Sequence, residues 1–105
     1  MEVKVLGTGS DKCSKLFSEV EAAIAHTGLE TNLCKIERIQ DIMKYGVIMT
    51  PALIINGEIK SMGQIPNRSE IVSWLVAASV TEEMMDELRL QRREWEQERR
   101  QNSGQ

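Results

Sequence analysis

"GTGSDKCSKL", residues 7 to 16, follows the apolar run "VKVL" and opens an amphipathic segment, so the chain leaves a strand through two glycines and enters a helix. Upstream, "EVKVL" sets Val3 and Val5 on one face with Leu6 beside them, the pattern of a buried strand. Downstream, Leu16, Val20, Ala23, Ile24 and Leu29 recur at helical spacing, and Gly28 stands where a left-handed C-terminal cap is expected. Ser10 is the natural N-cap, with Asp11 in the first turn against the helix dipole.

The rest of the chain extends this beginning. "ETNLCKI" reads as a second short strand. "IERIQDIMKYG" sets Ile36, Ile39, Ile42 and Met43 on one face and stops at Gly46, which predicts a second helix. In "TPALIINGEIKSMG", residues 50 to 63, two extended runs flank Asn56-Gly57, a strong signal for a two-residue hairpin turn. "NRSEIVSWLVAAS" follows Pro66, with Asn67 and Glu70 at capping-box spacing and Ile71, Trp74, Leu75 and Ala78 in an apolar stripe. The order β-α-β-α-β-β-α predicts two parallel strands joined through a helix, an antiparallel hairpin, and together a mixed four-stranded α/β sheet flanked by helices. Residues 1–79 form the expected domain.

From Val80 the character changes to a charged stretch without Gly or Pro before Gly104, which reads as a helical C-terminal extension over residues 80–105. Thr81 reads as its cap, Glu82 and Glu83 suit a first turn, and Arg99 and Arg100 a last one. Met85, Leu88 and Trp95 fall on a narrow stripe that Arg92 interrupts. Two readings stay open for it: a solvated helix touching its own domain, or a homodimer or partner contact through residues 80–105.

Composition narrows the classes of function. The net charge of −3 and pI near 5.2 speak against nucleic acid, which needs clustered Lys and Arg. No apolar run approaches the ~18 residues of a membrane span, and "MEVKVLGTGS" lacks a signal-peptide core, so a cytoplasmic protein is expected. Cys13 and Cys34 are too few for a disulfide framework and should rest as thiols there.

Two features carry chemistry. Cys13 sits just inside a helix start, where backbone N–H groups and the dipole favour a thiolate, but a lone helical cysteine is more often a small core residue. Ser10 stands three residues earlier, where a second cysteine would complete a C-x-x-C pair, and a hydroxyl forms no disulfide. The second feature is Thr50-Pro51. A Thr-Pro before a buried strand can take the cis form and leave backbone groups free for an extended substrate, although only about 5–6% of X-Pro bonds in folded proteins are cis.

With "VLGTGSDKC", "TPALIINGEIKSMG" and "EIVSWL" in this order, the sequence resembles the small thioredoxin-like proteins called small redox-active disulfide proteins, across roughly residues 2–78. The resemblance implies a thioredoxin-like fold and disulfide exchange, with the nucleophile's position at Ser10, the resolving cysteine at Cys13, and Thr50 and Pro51 beside the site to bind substrate. It further implies a protein or small-molecule disulfide as substrate and a reductase as partner, with no metal or other cofactor expected. The departure at Ser10 implies that two-cysteine turnover is absent, either through an engineered Cys-to-Ser change or in a natural branch that has lost it. A non-catalytic binding or dimerisation module on the same fold is the alternative.

Remaining residues fit no other chemistry. Cys34, in the second strand, is expected to be a buried structural thiol, and His26 a surface residue near a helix end. Two cysteines and one histidine do not complete a structural zinc set. "GTGS" lacks the G-K-[ST] of a phosphate loop, and Ser10 as a hydrolase nucleophile would need a general base, while the only histidine, His26, has no evident orienting partner.

Overall fold

The computed structural model describes residues 1–103, with side chains to residue 100, so the last two residues of the extension expected over 80–105 lie outside the described residues. Its elements are β1 (Glu2–Leu6), α1 (Asp11–Thr27), β2 (Asn32–Ile36), α2 (Ile39–Lys44), β3 (Ala52–Ile55), β4 (Glu58–Met62) and α3 (Arg68–Ser103). The sheet order is β2-β1-β3-β4, with β1 and β2 parallel and the other neighbours antiparallel. This is the mixed four-stranded α/β sheet expected from the order of elements, in the arrangement that the resemblance implies.

Strand alternation creates two apolar layers. Val3 and Val5 of β1, with Leu53 and Ile55 of β3, pack against Leu16, Val20 and Ala23 of α1 and Ile71 and Leu75 of α3. On the other face Leu6, Ala52 and Ile54 meet Ile42 and Val47. The central strand β3 is buried along its whole length, as a strand covered on both faces must be. The hairpin turn has positive φ at both Asn56 (49°) and Gly57 (81°), the backbone that matches the twist of its strands. Asn56 also accepts from the Glu2 backbone N–H through Oδ1 (2.9 Å) and donates through Nδ2 to Glu82 (2.7 Å), tying the turn to β1 and α3.

Three expectations need correction. Cys34 is exposed rather than buried. It lies on the edge strand β2 across from Lys4, on the face covered by α2, and a six-residue helix leaves that edge open. Lys4 itself is held above the ordinary lysine pKa, chiefly by a hydrogen bond with the Tyr45 side chain. The second helix is shorter than its apolar spacing predicts: Ile36 ends β2, Ile42 alone is buried, and Ile39 and Met43 are exposed. Finally, α3 runs unbroken for 36 residues. Thr81 starts no new helix; its hydroxyl donates back to the Ala77 carbonyl one turn earlier (3.0 Å).

The start of α3 is fixed by Asn67, whose Oδ1 accepts from the Glu70 N–H (2.8 Å) while Nδ2 donates to the Glu70 carboxylate (3.1 Å). Arg68 pairs with Glu19 of α1 at 3.2 Å, beside the Ile71 and Leu75 anchor. Glu82 of α3 reaches the sheet end, 3.6 Å from the N-terminal amine. At ~1.5 Å per residue the whole helix runs about 54 Å, so its C-terminal half projects from the body of the molecule and gives it a long axis of 66 Å.

Candidate functional site

Where β1 ends, Gly7 is buried and donates its N–H to the Ile36 carbonyl (2.9 Å), keeping the chain level with β2 before it rises into α1. Gly9, at φ 93°, makes the turn that an L side chain would resist. Ser10 follows in extended geometry as the N-cap of α1. Its Oγ accepts from the Cys13 backbone N–H (3.3 Å), and its hydroxyl lies 3.1 Å from Cys13 Sγ, positioned to donate to the sulfur. The expected N-cap therefore also contacts the site thiol.

The two side chains differ in access. Ser10 is exposed, whereas Cys13 is 7% exposed, so Ser10 takes the outer and Cys13 the inner position of the turn. A cavity of about 30 Å³ reaches Cys13 between Gly7, Gly9, Ser14, Lys35 and Glu37. That is room for about one or two water-sized groups and too little for a peptide segment. Gly7 is required here: a Cβ at this position would collide with Cys13 Sγ and come within 3.0 Å of Cys13 Cβ. The same Cβ would lie 4.0 Å from Pro51 Cα, so Gly7, Cys13 and Pro51 close up around one point.

The Thr50–Pro51 peptide bond is cis. Pro51 is buried and Thr50 exposed, and the Pro51 carbonyl is taken by the Gly63 N–H (2.8 Å). Ser10, Cys13, Thr50 and Pro51 thus come from two loops and one helix start to the same end of the sheet. Sequence reasoning missed the rim beside them, where Ile48 is 86% exposed and Met49 56%. Met49 lies over Gly63, close enough that a Cβ there would meet its Cε at 2.7 Å. Two bulky apolar residues in a loop just before a proline were the available signal.

Cys13 and Cys34 are both free thiols, and His26 is exposed at the far end of α1. Among the described residues, no three His, Cys, Asp or Glu side chains gather as a metal set. No helix among them is long and apolar enough to cross a membrane.

Comparison with known proteins agrees with this fold. Residues 1–76 match the sequence model of the thioredoxin domain. A thioredoxin of Methanothermobacter thermautotrophicus is 30% identical over 71 residues, covering 68% of this chain and 92% of that protein. A thioredoxin of Methanocaldococcus jannaschii is 28% identical over 69 residues, 66% of this chain and 79% of that protein.

Proposed function

Because the chain belongs to the thioredoxin family, we propose that it is a thiol-disulfide exchange protein acting on protein or small-molecule disulfides, with Ser10 at the position of the attacking sulfur. The observation that carries this reading is the Ser10 hydroxyl 3.1 Å from Cys13 Sγ at the start of α1, beside Pro51. In the two-cysteine route an outer thiolate attacks the substrate disulfide and releases one thiolate, and the inner thiol then attacks the mixed disulfide and releases the other. Ser10 offers no sulfur for the first step. Exchange through Cys13 alone ends at a mixed disulfide, with one thiolate expelled and the other half of the substrate still attached. The reading assigns the chain to the cytoplasm, where cysteines rest as thiols, with a reductase as its electron source.

Ellman's disulfide applied to the Cys34→Ser protein in native buffer tests what is left of the exchange chemistry. The expected result is a slow release of one thionitrobenzoate per chain with a second retained on Cys13, slow because the thiol is 7% exposed. A thiol that reacts only after unfolding would remove exchange from the chain as it stands. It would favour a second reading, supported by the exposed Ile48 and Met49 rim: a non-catalytic binding or dimerisation module that uses the groove at Thr50 and Pro51 and the charged helix beyond Val80.

A further inference from the structure

We propose that the projecting half of α3 pairs with the same segment of a second copy of this chain as a parallel, in-register two-stranded coiled coil. The inference rests on reading that helix as a contact surface and specifies its partner and direction. At about 100° per residue, Ala77, Met84, Leu88 and Trp95 point within roughly 40° of one another, and their centre lies roughly 120° from Ile71 and 160° from Leu75. This stripe therefore faces away from the domain core. Met84, Leu88 and Trp95 are 57%, 55% and 58% exposed. No bend of α3 toward its own sheet would cover them, because that sheet lies on the other side of the helix.

Ala77, Thr81, Met84, Leu88, Gln91 and Trp95 alternate in steps of four and three, the spacing of a heptad seam. From Ala77 to Trp95 the seam is apolar except at Thr81 and Gln91, its next position is Glu98, and Leu90 lies off it. Its flanks carry the directional information. One flank reads Val80, Glu87, Glu94 and the other Met85, Arg92, Arg99. In a parallel pair each residue of the first flank meets the residue five positions later on the partner helix. Val80 then meets Met85, Glu87 meets Arg92, and Glu94 meets Arg99, all complementary. An antiparallel pair sets each flank against itself, glutamate on glutamate and arginine on arginine.

The present partners of these side chains leave the arrangement open. Arg92 makes a surface pair with Glu96 of its own helix at 3.6 Å, with its side chain 81% exposed. Such a pair is weak and exchangeable. Arg99 lies over the Trp95 ring at 5.0 Å, which leaves its guanidinium at the edge of the seam. The domain bodies, attached through Ile71 and Leu75, would lie on the outer sides of the two helices and clear of the seam.

The test is the mass in solution of the full chain from about 1 µM to 1 mM, the weak end of specific association, alongside charge and cross-linking variants. The expected mass rises with concentration toward twice the 11.9 kDa of one chain. Glu87→Arg with Glu94→Arg, or separately Arg92→Glu with Arg99→Glu, should raise the dissociation constant at least about tenfold, since four interhelical pairs become repulsive. An equal mixture of the two double variants should dimerise again. Direction is read from Glu98→Cys in the Cys34→Ser background, which should cross-link on mild oxidation because parallel seams set position 98 beside its own copy. A dimer insensitive to the charge changes, or one without the cross-link, overturns the parallel pairing while the contact reading of α3 stands. A monomer at every concentration overturns both the pairing and the self-association part of that reading.

Discussion

A Ser10→Cys protein is expected to reduce a model protein disulfide at least ~10²-fold faster than the chain as it stands, with dithiothreitol as electron source. This is a conservative margin against the ~10⁶ that loss of a nucleophile costs a serine protease, because dithiothreitol itself supplies a background reaction. The geometry favours a large gain. Position 10 is exposed at the N-cap of α1, with exposed Thr50 and the apolar rim of Ile48 and Met49 beside it. A thiolate there is at a helix N-terminus, where the dipole and free N–H groups stabilise it. Cys13 Sγ is already 3.1 Å from the side-chain oxygen of Ser10, so a small rotamer change brings two sulfurs to bonding distance. Reducing equivalents would then pass from dithiothreitol to the pair and from the pair to the substrate disulfide.

The second large effect concerns the scaffold. Leu75→Ala is expected to destabilise the protein by ~2–5 kcal/mol, read as a lower urea midpoint with an unchanged slope. Leu75 is fully buried among Leu16, Val20 and Leu53, where α1, α3 and the sheet meet. Those neighbours hang on separate elements and cannot all close the gap. A chain of this size has roughly 5–15 kcal/mol in hand, so the loss takes a large share of it. Leu90→Ala in the same helix should change stability by no more than about 0.5 kcal/mol, because that side chain is already 60% exposed. Equal losses at the two positions would mean that the projecting half of α3 packs against the domain.

The contrast between these two leucines marks what was legible in the sequence. Apolar spacing gave the strands and α1 because both faces of β3 and one face of α1 bury their side chains, leaving a simple period to read. Ser10 as the cap and Asn56-Gly57 as the turn were legible because each residue satisfies a local backbone need. Cys34 was misjudged because exposure on β2 depends on how far the short α2 reaches, which is a tertiary fact. Ile39 and Met43 misled for the same reason. At α3 the change from an apolar to a charged stretch looked like a boundary. The backbone has no reason to break there, since neither Gly nor Pro occurs before Gly104 and Thr81 bonds back to Ala77. Of the candidate site, Ser10, Cys13, Thr50 and Pro51 were singled out by spacing and resemblance, and the fold brings them to one end of the sheet. The role of Gly7 was not, because it depends on Cys13 Sγ occupying the space a Cβ would need.

The central claim is that this scaffold is built for dithiol exchange and that one atom, the sulfur at position 10, separates the chain from that chemistry. Intact-mass analysis of Ser10→Cys with Cys34→Ser, equilibrated in glutathione buffers of graded oxidation, tests it most directly. The account predicts an intramolecular disulfide between positions 10 and 13, seen as the loss of two hydrogens, that forms and opens reversibly across the series. Two reduced thiols, or only glutathione adducts, in the most oxidising buffer would contradict it.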